Sequence, residues 1–130
     1  MTITESTFSD NQGVESCIFI SIGEDSPISN CYTKISKSTF ERNDGYIISV
    51  DDRIDPTTLN LEENTFTRNT GQAIMSKNAI VSDSDSIYSF NSAESGAVVT
   101  IMRESTYTGT GITFNSNLAD TNGGAVFATS

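Results

Sequence analysis

The stretch ISKSTFERNDG, residues 35–45, occurs three times in this chain of 130 residues with only local changes. The other two copies are ITESTFSDNQG at residues 3–13 and LEENTFTRNTG at residues 61–71. Each copy reads apolar, x, x, Ser or Asn, Thr, Phe, x, x, Asn, x, Gly, and the three align without a gap. Two looser copies follow, YSFNSAESGAV at residues 88–98 and ITFNSNLADTNGGAV at residues 112–126. Recurrence at a period of roughly 20 to 50 residues predicts a repeat architecture.

Several residue types recur at fixed places in these copies. The aromatic column holds Phe8, Phe40, Phe66, Phe90 and Phe114, spaced by 32, 26, 24 and 24 residues. The asparagine column, three residues later, holds Asn11, Asn43, Asn69 and Asn117. The fourth copy has Ala93 at that place, although Tyr88 and Asn91 offer the same spacing in a shifted register, so both alignments stay open. The glycine positions are Gly13, Gly45, Gly71, Gly96, Gly123 and Gly124, and the apolar strands that follow the turns align Ile48, Ile74, Val98 and Val126.

These columns predict an all-β fold, a right-handed parallel β-helix of about five coils of 24–32 residues. Coils of such a solenoid stack at strand spacing, about 4.8 Å, so equivalent side chains lie above one another. Stacked Phe rings then fill the interior, and stacked Asn side chains exchange amide hydrogen bonds. We expect glycine at the corners, because it adopts left-handed backbone conformations without strain. Insertions between coils account for the uneven period.

Two other folds explain the pattern less well. A β-sandwich has short strands and frequent turns, but it gives no reason for one eleven-residue pattern to recur. A leucine-rich repeat shares part of the spacing, but Ser or Asn stands where its middle leucine belongs, and the chain has three leucines.

The composition agrees with a β fold and excludes several kinds of partner. Ser and Thr supply 36 residues, and His and Trp are absent. Apolar residues make up 35% of the chain and come in short bursts such as CIFISI at 17–22 and AVVTIM at 97–102. None of these runs has the roughly 20 residues that a membrane helix needs, and we expect no membrane insertion. The net charge of −10 argues against nucleic acid and anionic lipid as partners.

The last copy resembles a known family of repeats. FNSNLADTNGGAVFA, residues 114–128, resembles the F-x-x-N and G-G-A-[I/L/V] repeats of the chlamydial polymorphic outer-membrane proteins. More broadly, the chain looks like the pectin-lyase-like, right-handed parallel β-helix superfamily. The resemblance implies an elongated cell-surface or secreted protein that displays loops and binds, adheres or builds a layer. It also implies that the repeated Phe, Asn and Gly residues are structural.

The sequence assigns no catalytic and no cofactor-binding residue. Without His, the usual proton shuttle at neutral pH is missing, and neither a nucleophile elbow nor a phosphate-binding loop is present. Acids cluster at Asp51, Asp52 and Asp55, and at Asp83 and Asp85. Carboxylates of this kind bind Ca²⁺ or serve glycosidases. We expect them instead to be solvated turn residues, with calcium as the one alternative cofactor.

Two further pairs have two interpretations each. Arg42 and Arg68 precede the repeated Asn and predict either a basic strip for an anionic sugar or side chains screened by acids such as Glu41 and Glu62. Cys17 and Cys31 predict buried free thiols, with a disulfide as the alternative in an oxidising compartment.

Residues 1–130 are expected to form a single β-helix segment. No cap is evident at either end, so we expect part of a longer solenoid, or end-to-end stacking with protein partners. The expected function is a non-catalytic structural or adhesive β-helix of a cell-surface or extracellular protein. The alternative is a fragment of a carbohydrate-active enzyme, a polysaccharide lyase or glycoside hydrolase, with carbohydrate as its partner.

Overall fold

The residues that the structure describes form a stack of parallel strands and contain no helix. The computed structural model describes residues 1–13, 16–22, 31–52, 56–94 and 98–129, which form strands joined by turns. Among these residues no helix is long and apolar enough to cross a membrane. The all-β parallel solenoid predicted from the repeat is confirmed.

Three parallel sheets of five strands run along the molecule. Sheet 1 contains β1 (Thr2–Thr4), β4 (Tyr32–Ser36), β7 (Thr57–Glu62), β10 (Ala79–Ser84) and β14 (Thr106–Thr110). Sheet 2 contains β2 (Thr7–Ser9), β5 (Thr39–Glu41), β8 (Thr65–Thr67), β11 (Ile87–Ser89) and β15 (Thr113–Asn115). Sheet 3 contains β3 (Ile18–Ile20), β6 (Ile48–Asp51), β9 (Ile74–Lys77), β13 (Val99–Met102) and β17 (Val126–Thr129). A further parallel pair, β12 (Ser92–Ala93) and β16 (Leu118–Ala119), joins the last two coils.

Each coil contributes one strand to every sheet, and we number the coils 1 to 5 in chain order. Four turns of the chain therefore separate the first strand of a sheet from its fifth. Equivalent residues of successive coils are 32, 26, 22 and 26 positions apart along the asparagine column.

The interior is built from alternate residues of these strands. In β7, Thr57, Leu59 and Leu61 are buried, and the residues between them are partly exposed. The largest fully buried aliphatic side chains are Ile35, Ile47, Ile48, Leu59, Leu61, Ile74, Val50, Val81 and Val99. Burial of one such side chain stabilises the fold by about 1.5–3 kcal/mol. Branched side chains at period two thus place a narrow apolar core between the three sheets.

The aromatic residue of coil 4 is Tyr88, and the alignment that used Phe90 is wrong. Tyr88 pairs with Phe66 and Phe114 in sheet 2, whereas Phe90 is 55% exposed. The cause is a short corner: Asn78 alone separates β9 from β10, whereas residues 52–56 separate β6 from β7. In sheet 3, Val99 and not Val98 lies opposite Ile74, a shift of one residue in the other direction.

Two corners of every coil contain a residue with positive φ. The corner between sheets 1 and 2 uses Glu5, Lys37, Glu63, Asp85 and Gly111, and the corner after sheet 2 uses Asp10, Arg42, Arg68, Phe90 and Ser116. Glycine is therefore not the usual corner residue, contrary to the sequence prediction. Left-handed backbone costs about 1–2 kcal/mol per residue. In coils 1 to 4 this cost is offset because the N–H at each of these bends donates to the next coil, as Lys37 does to the Glu62 carbonyl oxygen at 2.9 Å.

Glycine is required where two coils approach closely. Gly45 and Gly71 have φ of 88° and 122°, and a Cβ on Gly71 would lie 2.1 Å from the Gly45 carbonyl oxygen. Gly123 also has positive φ, at 51°, whereas Gly13 and Gly124 do not. Gly96 lies outside the described residues.

Substitutions at Phe90 test the register of coil 4. Asn adopts the left-handed conformation more readily than Phe, and a β-branched residue does so least readily. We expect Phe90→Asn to leave the free energy of unfolding unchanged or to raise it by up to about 1 kcal/mol, and Phe90→Val to lower it. Urea denaturation measures both. A loss of about 3–5 kcal/mol in Phe90→Asn, the cost of emptying a core aromatic site, would show that Phe90 belongs to the stack.

Candidate functional site

Five aromatic rings stack along the interior, one in each coil. The ring centroids are separated by 4.9 Å for Phe8 and Phe40, 4.7 Å for Phe40 and Phe66, 4.7 Å for Phe66 and Tyr88, and 5.1 Å for Tyr88 and Phe114. The first three pairs are inclined by 5° and the last by 19°. Such stacked pairs add about 0.5–1.5 kcal/mol beyond the area they bury. The stack therefore holds each coil to the next.

One asparagine in each coil forms the corresponding polar ladder. The Asn69 side-chain oxygen accepts two hydrogen bonds from Asn43, one from its backbone N–H at 2.9 Å and one from its side-chain amide at 3.1 Å. The Asn69 side-chain amide donates to the Phe40 carbonyl oxygen at 3.0 Å and to the Asn91 side-chain oxygen at 2.9 Å. Every polar atom of this buried side chain is thereby bonded, and the side chain links three coils.

The same arrangement is repeated at every junction between coils. The members are Asn11, Asn43, Asn69, Asn91 and Asn117. Asn91 supplies the member for coil 4 that the alignment through Ala93 left empty. Asn43, Asn69 and Asn91 are each 1% exposed, so their hydrogen bonds are shielded from water.

A second polar ladder follows the corner between sheets 1 and 2, and sequence reasoning did not identify it. The backbone N–H of Ser6 donates to the Ser38 hydroxyl at 3.2 Å, and that of Ser38 to the Asn64 side-chain oxygen at 3.0 Å. The N–H of Asn64 in turn donates to the Ser86 hydroxyl at 3.2 Å. The signal was present in the first three copies of the repeat, where this position is Ser or Asn.

The two end coils are less buried than the three between them. In coil 1, Ile3 and Phe8 pack against the core on one side only and stay half-buried. In coil 5, Tyr107, Ile112 and Phe114 do the same, and no described residue from 103 to 129 is buried. The last coil therefore presents its interior face, whereas the first coil does so at Ile3 and Phe8 but not at Ile18 and Ile20, which are buried.

A carboxylate occupies the core in coil 4, at the position that holds Ile35 and Leu61 in coils 2 and 3. Asp83 is 3% exposed, and its Oδ2 accepts hydrogen bonds from the hydroxyls of Tyr88 at 2.6 Å and Tyr107 at 3.0 Å. No described residue donates a hydrogen bond to its Oδ1. A buried carboxylate is costly unless it is well bonded, and the two phenols reduce that cost.

The other predicted acids that the structure describes do not gather into one cluster. Asp51 lies 3.1 Å from the Lys77 ammonium, and Asp52 accepts a hydrogen bond from the Thr57 hydroxyl at 2.5 Å. Asp85 is exposed at a corner while Asp83 points inward, so this pair is separated. Asp55 lies outside the described residues. No group of three or more Asp, Glu, Cys or His in the described part of the chain is arranged to hold a metal ion.

The two repeated arginines lie on the outer corner after sheet 2. Arg42 pairs with Asp10 through two hydrogen bonds, at 2.7 and 2.8 Å, and with Glu41 at 2.6 Å. Arg68 reaches Glu41 at 3.2 Å. Glu62 pairs instead with Lys34. The arginine positive charges are therefore balanced by acids along the strip, as the screening interpretation predicted, although Glu62 does not take part.

A shallow groove follows the turns between sheets 2 and 3. It encloses about 380 Å³ and is lined by Gly13, Asp44, Gly45, Tyr46, Gly71, Gln72, Ala93 and Glu94. Gly45 and Gly71, which have no side chains, lie one above the other at its floor. Two acidic residues, Asp44 and Glu94, thus line the same groove as Tyr46.

Cys17 and Cys31 are free thiols. Both are half-buried and pack against the core. Burial raises the pKa of the Cys17 thiol, which makes it less reactive.

The comparisons with known proteins identify no relative. No protein-family model, no curated protein and no solved structure matches the chain. Its function is therefore argued from its own residues.

Replacement of Asn69 by alanine tests the asparagine ladder. The change leaves two Asn43 donors and the Phe40 carbonyl oxygen without partners in the core, at about 1–3 kcal/mol for each buried group. We expect the free energy of unfolding in urea to fall by about 2–5 kcal/mol. Asn60→Ala, on the outer face of sheet 1, is the control and should change it by less than about 0.5 kcal/mol. Equal effects of the two variants would contradict a structural role for the ladder.

Tyr88 and Tyr107 predict a loss of stability at high pH. Burial, reinforced by the Asp83 carboxylate, raises the pKa of both phenols above their usual value of about 10. Because the pKa is higher in the folded state, their contribution is complete below about pH 10 and is lost as the pH rises further. We expect the free energy of unfolding to fall above about pH 10, and less steeply in Tyr88→Phe. Equal slopes in urea denaturation would contradict this assignment.

Proposed function

We propose that this chain is a non-catalytic structural element of a cell-surface or extracellular assembly. One observation carries the proposal: the residues that repeat are used for contacts between coils. The aromatic rings and the asparagine side chains bind the coil above and the coil below. A chain selected for these contacts is suited to bear load or to hold surfaces apart.

The resemblance to the chlamydial outer-membrane repeats and to the pectin-lyase-like superfamily supports the same role. In those terms the F-x-x-N part of the motif corresponds here to the aromatic stack and the asparagine ladder, and Gly123 and Gly124 precede β17. We propose on this basis a surface or secreted location and protein partners, or further coils, at the ends of the stack.

The outer charged residues agree with a structural role. Lys34 with Glu62, Lys77 with Asp51, and Arg42 with Asp10 each form an ion pair between neighbouring coils. Exposed pairs of this kind contribute little stability, about 0–1 kcal/mol. They do lower the repulsion within a chain whose net charge is −10.

The groove between sheets 2 and 3 favours a second candidate, a carbohydrate-active function. Asp44 and Glu94 line the groove with Tyr46, and paired carboxylates are what a glycosidase requires. An aromatic ring at the rim is suited to pack against a sugar. In this second candidate function, Asp44 and Glu94 are the two carboxylates that act on the glycosidic bond.

Incubation with acidic and neutral polysaccharides decides between the two. We expect neither new reducing ends nor the ultraviolet absorbance of unsaturated products, for the wild type and for Asp44→Asn and Glu94→Gln alike. Cleavage by the wild type that both variants lose would overturn the structural proposal and establish the second candidate.

A further inference from the structure

We propose that a second copy of this chain stacks on the first, head to tail, with coil 5 of one copy against coil 1 of the next. This inference rests on the proposed structural role and names the partner at the ends of the solenoid. Three sets of contacts within the chain, each repeated from coil to coil, have complementary unused halves at the two ends.

The asparagine ladder supplies the first set. At each junction, the N–H and side-chain amide of one Asn donate to the side-chain oxygen of the next, as Asn91 does to Asn117 at 3.0 Å for both bonds. In the described chain no Asn follows Asn117 in a further coil. The N–H and side-chain amide of Asn117 therefore have no asparagine oxygen to donate to. Asn11 donates to Asn43, and among the described residues none donates to its side-chain oxygen. Asn117 of one copy and Asn11 of the next therefore present the matching donors and acceptor.

The aromatic stack supplies the second set. Phe8 and Phe114 each contact one ring, whereas the three rings between them contact two. Both end rings are half-buried in the isolated chain. Placing Phe114 over Phe8 of the next copy continues the stack at the spacing it already has.

The strand edges supply the third set. Continuing the register of sheet 2 places Thr113 over Thr7, and continuing that of sheet 3 places Phe127 over Phe19, whereas Ile18, which lies opposite Val126 in that register, is already buried in the isolated chain. Phe19 and Val126 are 64% and 44% exposed in the isolated chain. These contacts join like residues, as at the internal junctions, and bring no two like charges together.

The polarity of the asparagine ladder favours a head-to-tail contact over a symmetric dimer. A two-fold pairing of coil 1 with coil 1 would place two Asn11 acceptor oxygens against each other, and pairing coil 5 with coil 5 would oppose two sets of donors. Only unlike ends are complementary, and such a contact is heterologous and can repeat into an open stack.

Two variants block the two ends separately. The N–H of Thr39 donates to the preceding coil, at Ser6, so the equivalent N–H of Thr7 points out of the end. Thr7→Pro removes that donor and is tolerated because a strand edge facing solvent accepts proline. Val126→Lys puts a charge on the opposite end, where the side chain is exposed unless a partner covers it. Phe90→Ser, on the flank of the solenoid, is the control.

Sedimentation velocity over a hundredfold range of concentration measures the assembly. We expect the mass of the wild type and of Phe90→Ser to grow with concentration, and each end variant alone to stay monomeric. A mixture of Thr7→Pro with Val126→Lys should form a dimer and nothing larger, because one compatible pair of ends remains. Circular dichroism and the melting temperature check that each variant is folded, and Phe19→Glu replaces Thr7→Pro should that variant unfold.

Other outcomes overturn the proposal. If the wild type stays monomeric, the ends are covered by further coils or by another protein and not by a second copy. Assembly lost in Phe90→Ser places the contact on the flank, and a mixture of end variants that stays monomeric excludes head-to-tail stacking. None of these results bears on polysaccharide cleavage, so the structural role is judged separately.

Discussion

A single asparagine oxygen that accepts two hydrogen bonds fixes each coil upon the next. Asn69 shows why the residue must be asparagine: its side chain accepts twice from Asn43 and donates to both neighbouring coils. Aspartate would lack the donors, and glutamine would be one carbon too long for the same geometry. Because the aromatic ring lies three residues earlier in each coil, the asparagine register also determines the ring stack. The register of the strands in the three sheets agrees with this asparagine register.

The coils stabilise one another only as nearest neighbours, which is typical of solenoids. Coils 2 to 4 bury both faces, and their Phe40, Phe66 and Tyr88 rings are fully buried. The end coils bury one face each, so they should open before the rest of the molecule does. The same property links fold and function, because a stack that gains stability from each added neighbour is suited to extension.

The sequence predicted the solenoid because its first three copies align without gaps. It misplaced coil 4, where Ser89 ends the strand and Phe90 turns the chain at a positive φ, so that two aromatic residues two positions apart face opposite ways. It correctly gave Gly45, Gly71 and Gly123 a positive φ, but it missed the non-glycine corner residues, since hydrogen bonds to the next coil compensate for strain that propensity alone would forbid. The burial of Asp83 could not be predicted from the sequence, because its two phenol partners come from different strands.

Hydrogen exchange of the asparagine side-chain amides, observed by NMR, tests the central claim most directly. The side-chain amides of Asn43, Asn69 and Asn91 should exchange as slowly as the backbone amides of β8, because both are released only when neighbouring coils separate. The side-chain amide of Asn60, on the outer face, provides the fast reference. Exchange of the ladder amides at the rate of Asn60 would contradict the account, since it would mean that the asparagines do not hold the coils together.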